Sequence, residues 1–169
     1  TTEVQAGVAP SPAAAQAPAS RPTLIREENG KPGAKDWQLT RVRPDKDEFR
    51  SPWIEGYCSR QSVKPGETID LLVSTNPPRK FLIEIFRMGY YGGKGARLMT
   101  TLGPFAGQAQ VVPTPGPKDL HECRWTPTTT LTIPADWPSG VYLGRLTTQV
   151  DSEAEPYWQS YVIFVVRDE

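Results

Sequence analysis

The only histidine, His121, sits in the run Asp119-Leu120-His121-Glu122-Cys123, and any Ser/His/Asp catalytic arrangement in this chain would have to use it. No Gly-x-Ser-x-Gly elbow accompanies it. As a metal site the run is equally poor, because adjacent side chains on an extended segment point to opposite faces and cannot converge on one ion. A second candidate is the glycine-rich run Gly89-Tyr90-Tyr91-Gly92-Gly93-Lys94-Gly95-Ala96-Arg97. A phosphate-cradling loop needs Ser or Thr after its lysine and a helix N-terminus behind it. Here Gly95 follows Lys94 and no helix is expected downstream. Catalytic, metal and cofactor-binding residues are therefore expected to be absent. The run reads better as a strand-linking loop whose glycines allow positive φ and whose Tyr90 and Tyr91 cover a sandwich end. Its other reading is a partner contact, since Tyr90 and Tyr91 beside Arg87, Lys94 and Arg97 have the composition of a recognition hot spot.

These residues would be positioned by short β-rich runs separated by turn chemistry. The runs are Trp53 to Cys58, Thr68 to Thr75, Lys80 to Arg87, Ala96 to Leu102, a weak Gln108 to Val112, Thr128 to Ile133, Val141 to Thr148 and Trp158 to Val166. Most of the 18 prolines fall between them or in the N-terminal arm, where each would interrupt a helix. The expected class is all-β, an immunoglobulin-like sandwich of about seven to nine strands. Pro65-Gly66 predicts a type II turn, with the proline and glycine at its two central positions. Gly140-Val141-Tyr142 resembles a tyrosine corner, which assigns Tyr142 a structural role; position 144 is Gly, so the antibody-type inter-sheet disulfide is excluded.

Lys+Arg and Asp+Glu both number 19, for a formal net charge of zero over 169 residues. No single-sign run is present to hold a polyanion, so a general nucleic-acid binder is not expected. The two cysteines, Cys58 and Cys123, lie too far apart for a Cys-x-x-Cys site. One disulfide or two free thiols remain. A bond closing so long a loop would remove chain entropy worth about 4 kcal/mol from the unfolded state, and it is the expectation here. Residues 1–22 form an extended Pro/Ala-rich arm, residues 23–52 a lead-in segment packing on the sandwich, and residues 53–169 the sandwich itself. The arm has little apolar side chain to dock on its own domain, so it suits a tether or a strap across a neighbour. No stretch is long and apolar enough to span a membrane, and a leader or anchor, if the protein is exported, would precede Thr1.

Several longer strings carry a resemblance. They are Glu28-Asn29-Gly30-Lys31-Pro32-Gly33 with Asp36-Trp37, Ile54 to Ser59, Val63 to Glu67, Phe86 to Arg97, and Ser139 to Tyr142 with Phe164 to Asp168. Together they resemble the N-terminal β-sandwich domain of large proteins related to the catalytic subunit of N,N-dimethylformamidase. The resemblance implies a sandwich fold and a chain that, in that family, continues into an iron-bearing catalytic domain. None of that domain's metal ligands has a counterpart among these residues, so amide hydrolysis is not carried over. Trp37, Pro65, Gly66, Gly140 and Tyr142 take structural roles. The expectation is a non-catalytic, periplasmic or otherwise extracytoplasmic accessory subunit without cofactor or small-molecule substrate. Its partners would be protein subunits of a larger assembly, with respiratory or photosynthetic membrane complexes among the hosts and membrane proximity through the arm. One alternative is the leading domain of a dimethylformamidase-like amide hydrolase. Another is a carbohydrate-binding sandwich presenting Trp37, Trp125, Trp137 or Trp158.

Overall fold

A computed structural model describes residues 21–47 and 49–168; most of the expected N-terminal arm, residues 1–20, lies outside the described residues. Eight strands follow one another in the described chain: β1 (Glu55–Cys58), β2 (Ser62–Val63), β3 (Thr68–Ser74), β4 (Phe81–Met88), β5 (Ala96–Phe105), β6 (Thr129–Thr132), β7 (Gly140–Thr148) and β8 (Gln159–Val166). They form a three-stranded sheet in the order β1-β3-β6 and a five-stranded sheet in the order β2-β8-β7-β4-β5. All pairings are antiparallel except that of β2 with β8. This is the all-β sandwich the sequence predicts.

The core follows from period-2 alternation. Ile69, Leu71 and Val73 of β3 face Phe81, Ile83 and Ile85 of β4, with Leu146, Val162 and Phe164 completing the layer. The Pro65-Gly66 turn joins β2 to β3: Gly66 has φ +84°, the Glu67 N–H donates to the Lys64 carbonyl at 3.0 Å, and the Lys64 N–H donates to the Glu67 carboxylate at 2.8 Å. At the tyrosine corner the Tyr142 hydroxyl donates to the Pro138 carbonyl at 2.7 Å, and its ring stacks between Trp137 and Phe164.

Two expectations are corrected. A helix, α1 (Arg21–Asn29), takes the last two positions of the arm, where extended chain is expected, and opens the lead-in. It carries Pro22 in its first turn, where the missing N–H costs nothing. It ends at Gly30, whose N–H donates to the Arg26 carbonyl at 3.1 Å. Its fully buried contact runs through Glu28 and not through an apolar stripe, which is why no helical period shows. The weak run Gln108 to Val112 is not a strand. Its bonds go instead to the edge of β3 and to the returning chain, with the Thr75 N–H donating to the Gln108 carbonyl and the Gln110 N–H to Ser74 Oγ.

The lead-in crosses the outer face of the five-stranded sheet. The Ala34 N–H donates to the Ala96 carbonyl at 2.8 Å, and the Gln159 N–H to the Arg41 carbonyl at 2.8 Å. Arg145 reaches the Asp36 carbonyl while its Nη2 lies 2.7 Å from Glu84 Oε2.

Candidate functional site

The loop between β4 and β5 closes around α1 at one end of the sandwich. Tyr91 is buried and sits at φ +41°, a left-handed backbone unusual for a side chain with a Cβ. Its hydroxyl is held from two sides: it accepts from Arg87 Nη1 at 2.9 Å and donates to Glu28 Oε1 at 2.9 Å. The same Glu28 oxygen accepts from Arg97 Nε at 2.7 Å, and Glu28 Oε2 pairs with Lys31 Nζ at 2.7 Å. Arg87 is buried as well, and its Nη2 donates to the Ser139 carbonyl at 2.8 Å. Gly140 makes room for it, since a Cβ there would come within 3.2 Å of the guanidinium. Outside this cluster the Tyr90 N–H donates to Asn29 Oδ1 at 2.9 Å, and Trp37 Nε1 donates to the Lys94 carbonyl at 2.9 Å. The two strings that look most distinctive in the sequence, residues 28–37 and 86–97, are thus packed against each other.

Charge and burial compete at this end. Burial acts to raise the Glu28 pKa, but the bonds from Lys31, Arg97 and Tyr91 together outweigh it, so the carboxyl titrates below the usual glutamate range. Burial pushes the Tyr91 hydroxyl up, with the bond from Arg87 opposing and Glu28 reinforcing. Arg97 is raised, because pairing with Glu28 outweighs its desolvation. A carboxylate with both oxygens occupied and a phenol held in its neutral form act as a clamp between helix and loop.

This geometry corrects the hot-spot reading. Arg87 and Tyr91 are buried and engaged, so these two present no contact surface, and Arg97 is half-buried on Glu28. Of the five residues Tyr90, 71% exposed, and Lys94 are the fully exposed ones. A sequence cannot show that Arg87 finds Tyr91 and Glu28, because Glu28 lies about sixty positions away. The acid in the Glu28-Asn29 string beside the helix-ending glycine is the only signal of it.

The disulfide is corrected too: Cys58 and Cys123 are both free. Tyr57 turns to the outer face of β1, where its ring meets Trp125 at 5.3 Å and its hydroxyl accepts from the Trp125 N–H. Cys58, one residue on, turns the opposite way and packs against the core. Cys123 stays on the Trp125 side, exposed, at a cleft of about 350 Å³ with His121, Arg50 and Glu55. Strand alternation keeps the thiols on opposite faces, and burial pushes the Cys58 thiol up to about 12. The tryptophans form no shared platform. Trp37 lies on Gly95, Trp125 on Tyr57, Trp137 on Tyr142, and Trp158 beside Trp53 under Arg43.

Two further regions carry apolar side chains toward the surface. A cleft of about 400 Å³ lies between α1 and the Pro134–Ser139 segment, with Leu24, Ile25, Pro65, Trp137 and Pro138 among its walls and Glu27 and Asp136 beside them. On the outer face of the five-stranded sheet, Leu98, Phe86, Leu143 and Ile163 stand in one row across β5, β4, β7 and β8.

Residues 82–169, more than half of the chain, match the family model described as N,N-dimethylformamidase beta subunit-like, C-terminal. The matched span runs from β4 to the end of the chain, with α1 and β1 to β3 ahead of it. The family agrees with the resemblance in the sequence. The description names the C-terminal part of such subunits, where the sequence resemblance points to a leading sandwich domain. No match is found among curated proteins.

Proposed function

This chain belongs to the N,N-dimethylformamidase beta subunit-like, C-terminal family, and from that premise we propose that it is a non-catalytic extracytoplasmic subunit that docks on and stabilises a larger protein assembly. The observation that carries this reading is the exposed apolar patch of Val141, Ile163 and Val165 on the outer face of the five-stranded sheet. Ile163 is 59% exposed at one end of the row and Leu98 40% at the other, with Phe86 between them buried. Val141 and Val165, paired across β7 and β8, extend it by one register step. The lead-in covers the neighbouring part of that face around Arg145 and Tyr161, and Arg145 lies over the Phe86 ring, while Val141, Ile163 and Val165 stay exposed. A patch of exposed apolar side chains on a sheet face suits a surface that another protein covers. The inward-turned charges of the Glu28 cluster support the same reading, since they build a rigid end to the sandwich.

The test is co-purification from the source cells, with Ile163→Glu/Val165→Glu in place of the native chain. The expected result is loss of the variant from the assembly with its thermal midpoint unchanged. Retention of the variant, or a native chain that purifies alone, would overturn the reading. Cell fractionation placing the chain with cytosolic markers would overturn the location. Family membership also favours a second reading, in which the sandwich is a portion of a dimethylformamidase-like amide hydrolase. Amide turnover by the purified natural gene product would establish that reading in place of the first.

A further inference from the structure

We propose that the cleft between α1 and the Pro134–Ser139 segment receives a lysine or arginine side chain of the docking partner, presented among apolar neighbours. This rests on the docking reading above. The cleft combines three properties. Its walls are apolar, with Leu24, Ile25, Pro65, Trp137 and Pro138 contributing, and its volume of about 400 Å³ is large enough for a long side chain. Its charged lining among the described residues includes Glu27 and Asp136, both exposed, while Glu28 is engaged by Lys31 and Arg97. That lysine is already neutralised, because its ammonium lies 2.7 Å from Glu28 Oε2.

A long basic side chain suits this arrangement. Its aliphatic stem gains by burial on the apolar walls, while its head stays at the carboxylates near the rim. Low-dielectric walls strengthen that attraction relative to open water. An acidic or phosphorylated segment would meet like charge. The chain's own residues 1–20 are no match either, since they contain one charged side chain, Glu3, and no lysine or arginine.

The experiment titrates the whole chain with n-butylguanidinium, a mimic of the arginine side chain, and with n-butylurea, its uncharged near-isostere. The readout is the NMR shifts of the Trp137 indole and the Leu24 and Ile25 methyls. Butylguanidinium is expected to shift these groups saturably in the millimolar range suited to so small a ligand. Butylurea is expected to bind about tenfold more weakly or not at all. Glu27→Gln/Asp136→Asn should abolish the difference between the two probes without moving the thermal midpoint. Equal response to both probes, no saturable response, or shifts centred elsewhere would overturn the proposal. The same double variant is then carried into the co-purification. Its loss from the assembly supports the proposal; its full retention overturns the cleft as the docking point and leaves docking through the sheet face intact. A native chain that purifies alone overturns docking itself, while the titration still reports the cleft's charge preference.

Discussion

Two connections flank β5, and both are rich in glycine or proline. The first, residues 89–95, is short and turns inward: Tyr91 is buried, and its hydroxyl links Arg87 to a Glu28 that also holds Arg97 and Lys31. The second, residues 106–128, is long and has no strand, only a 3-10 turn at Pro117–Asp119. Gln110 and Trp125 tie its two ends together. Gln110 exchanges bonds with Thr126 at 2.8 and 3.0 Å, and Trp125 Nε1 donates to the Val111 carbonyl at 2.8 Å. Val111, Leu120, His121 and Cys123 face solvent. The residue types that look reactive in the sequence therefore have opposite fates. Where they are withdrawn from water, each partner is costly to remove. Where they stay in water, as in the exposed Arg124–Glu122 pair, their bonds matter little.

The largest expected effect is at the inward end. Glu28→Ala leaves Tyr91 and Arg97 without their acceptor and should cost about 3 kcal/mol, the lower end of the range for breaking a buried pair, because Arg97 and Lys31 reach solvent. Urea unfolding measures it, and a loss below about 1 kcal/mol would erase the contrast between the two connections. Tyr91→Phe keeps the ring and removes the bridging hydroxyl, with an expected cost of about 1–3 kcal/mol and an unchanged denaturant slope.

Smaller still is a dependence on acid. The folded Glu28 carboxyl titrates below its unfolded value, so its contribution is fully present above about pH 4.3 and is lost as pH falls through the lower folded value. Glu28→Gln should flatten the acid limb of stability against pH and leave the limb above it parallel to that of the native chain. An unchanged acid limb would remove Glu28 as its source.

The smallest effect belongs to the outward connection. Cys123→Ser should leave the thermal midpoint where it is. Iodoacetamide should label Cys123 in the native chain and reach Cys58, half-buried with its thiol pushed up to about 12, only after unfolding. An intact mass that rises on reduction and alkylation, with no labelling beforehand, would restore the disulfide and sharpen the comparison the other way.

Much of the sandwich is legible from short stretches of sequence. The alternation in Thr68 to Ser74 and Phe81 to Met88, the left-handed glycine demanded after Pro65, and the Tyr142 hydroxyl reaching back four residues are all local events. Each depends on neighbours in the chain, and each is present in the fold. The candidate site is less legible. The sequence shows Tyr90, Tyr91, Arg87, Lys94 and Arg97 as a group but not which of them face inward. It shows two cysteines but not that the step from Tyr57 to Cys58 turns one of them away from the other. It hides α1 because the helix is anchored by a carboxylate, and an apolar period is what announces a helix.

The amino-acid sequence by itself determined the β class, the turns and the corner, because backbone preference and period-2 patterning act over a few residues. Only the tertiary structure decided which charges are buried, which thiols stay apart and where an apolar patch and an acidic cleft lie. Burial and pairing depend on partners that arrive from dozens of positions away, and the free energy of an ionisable group changes more with its surroundings than with its identity.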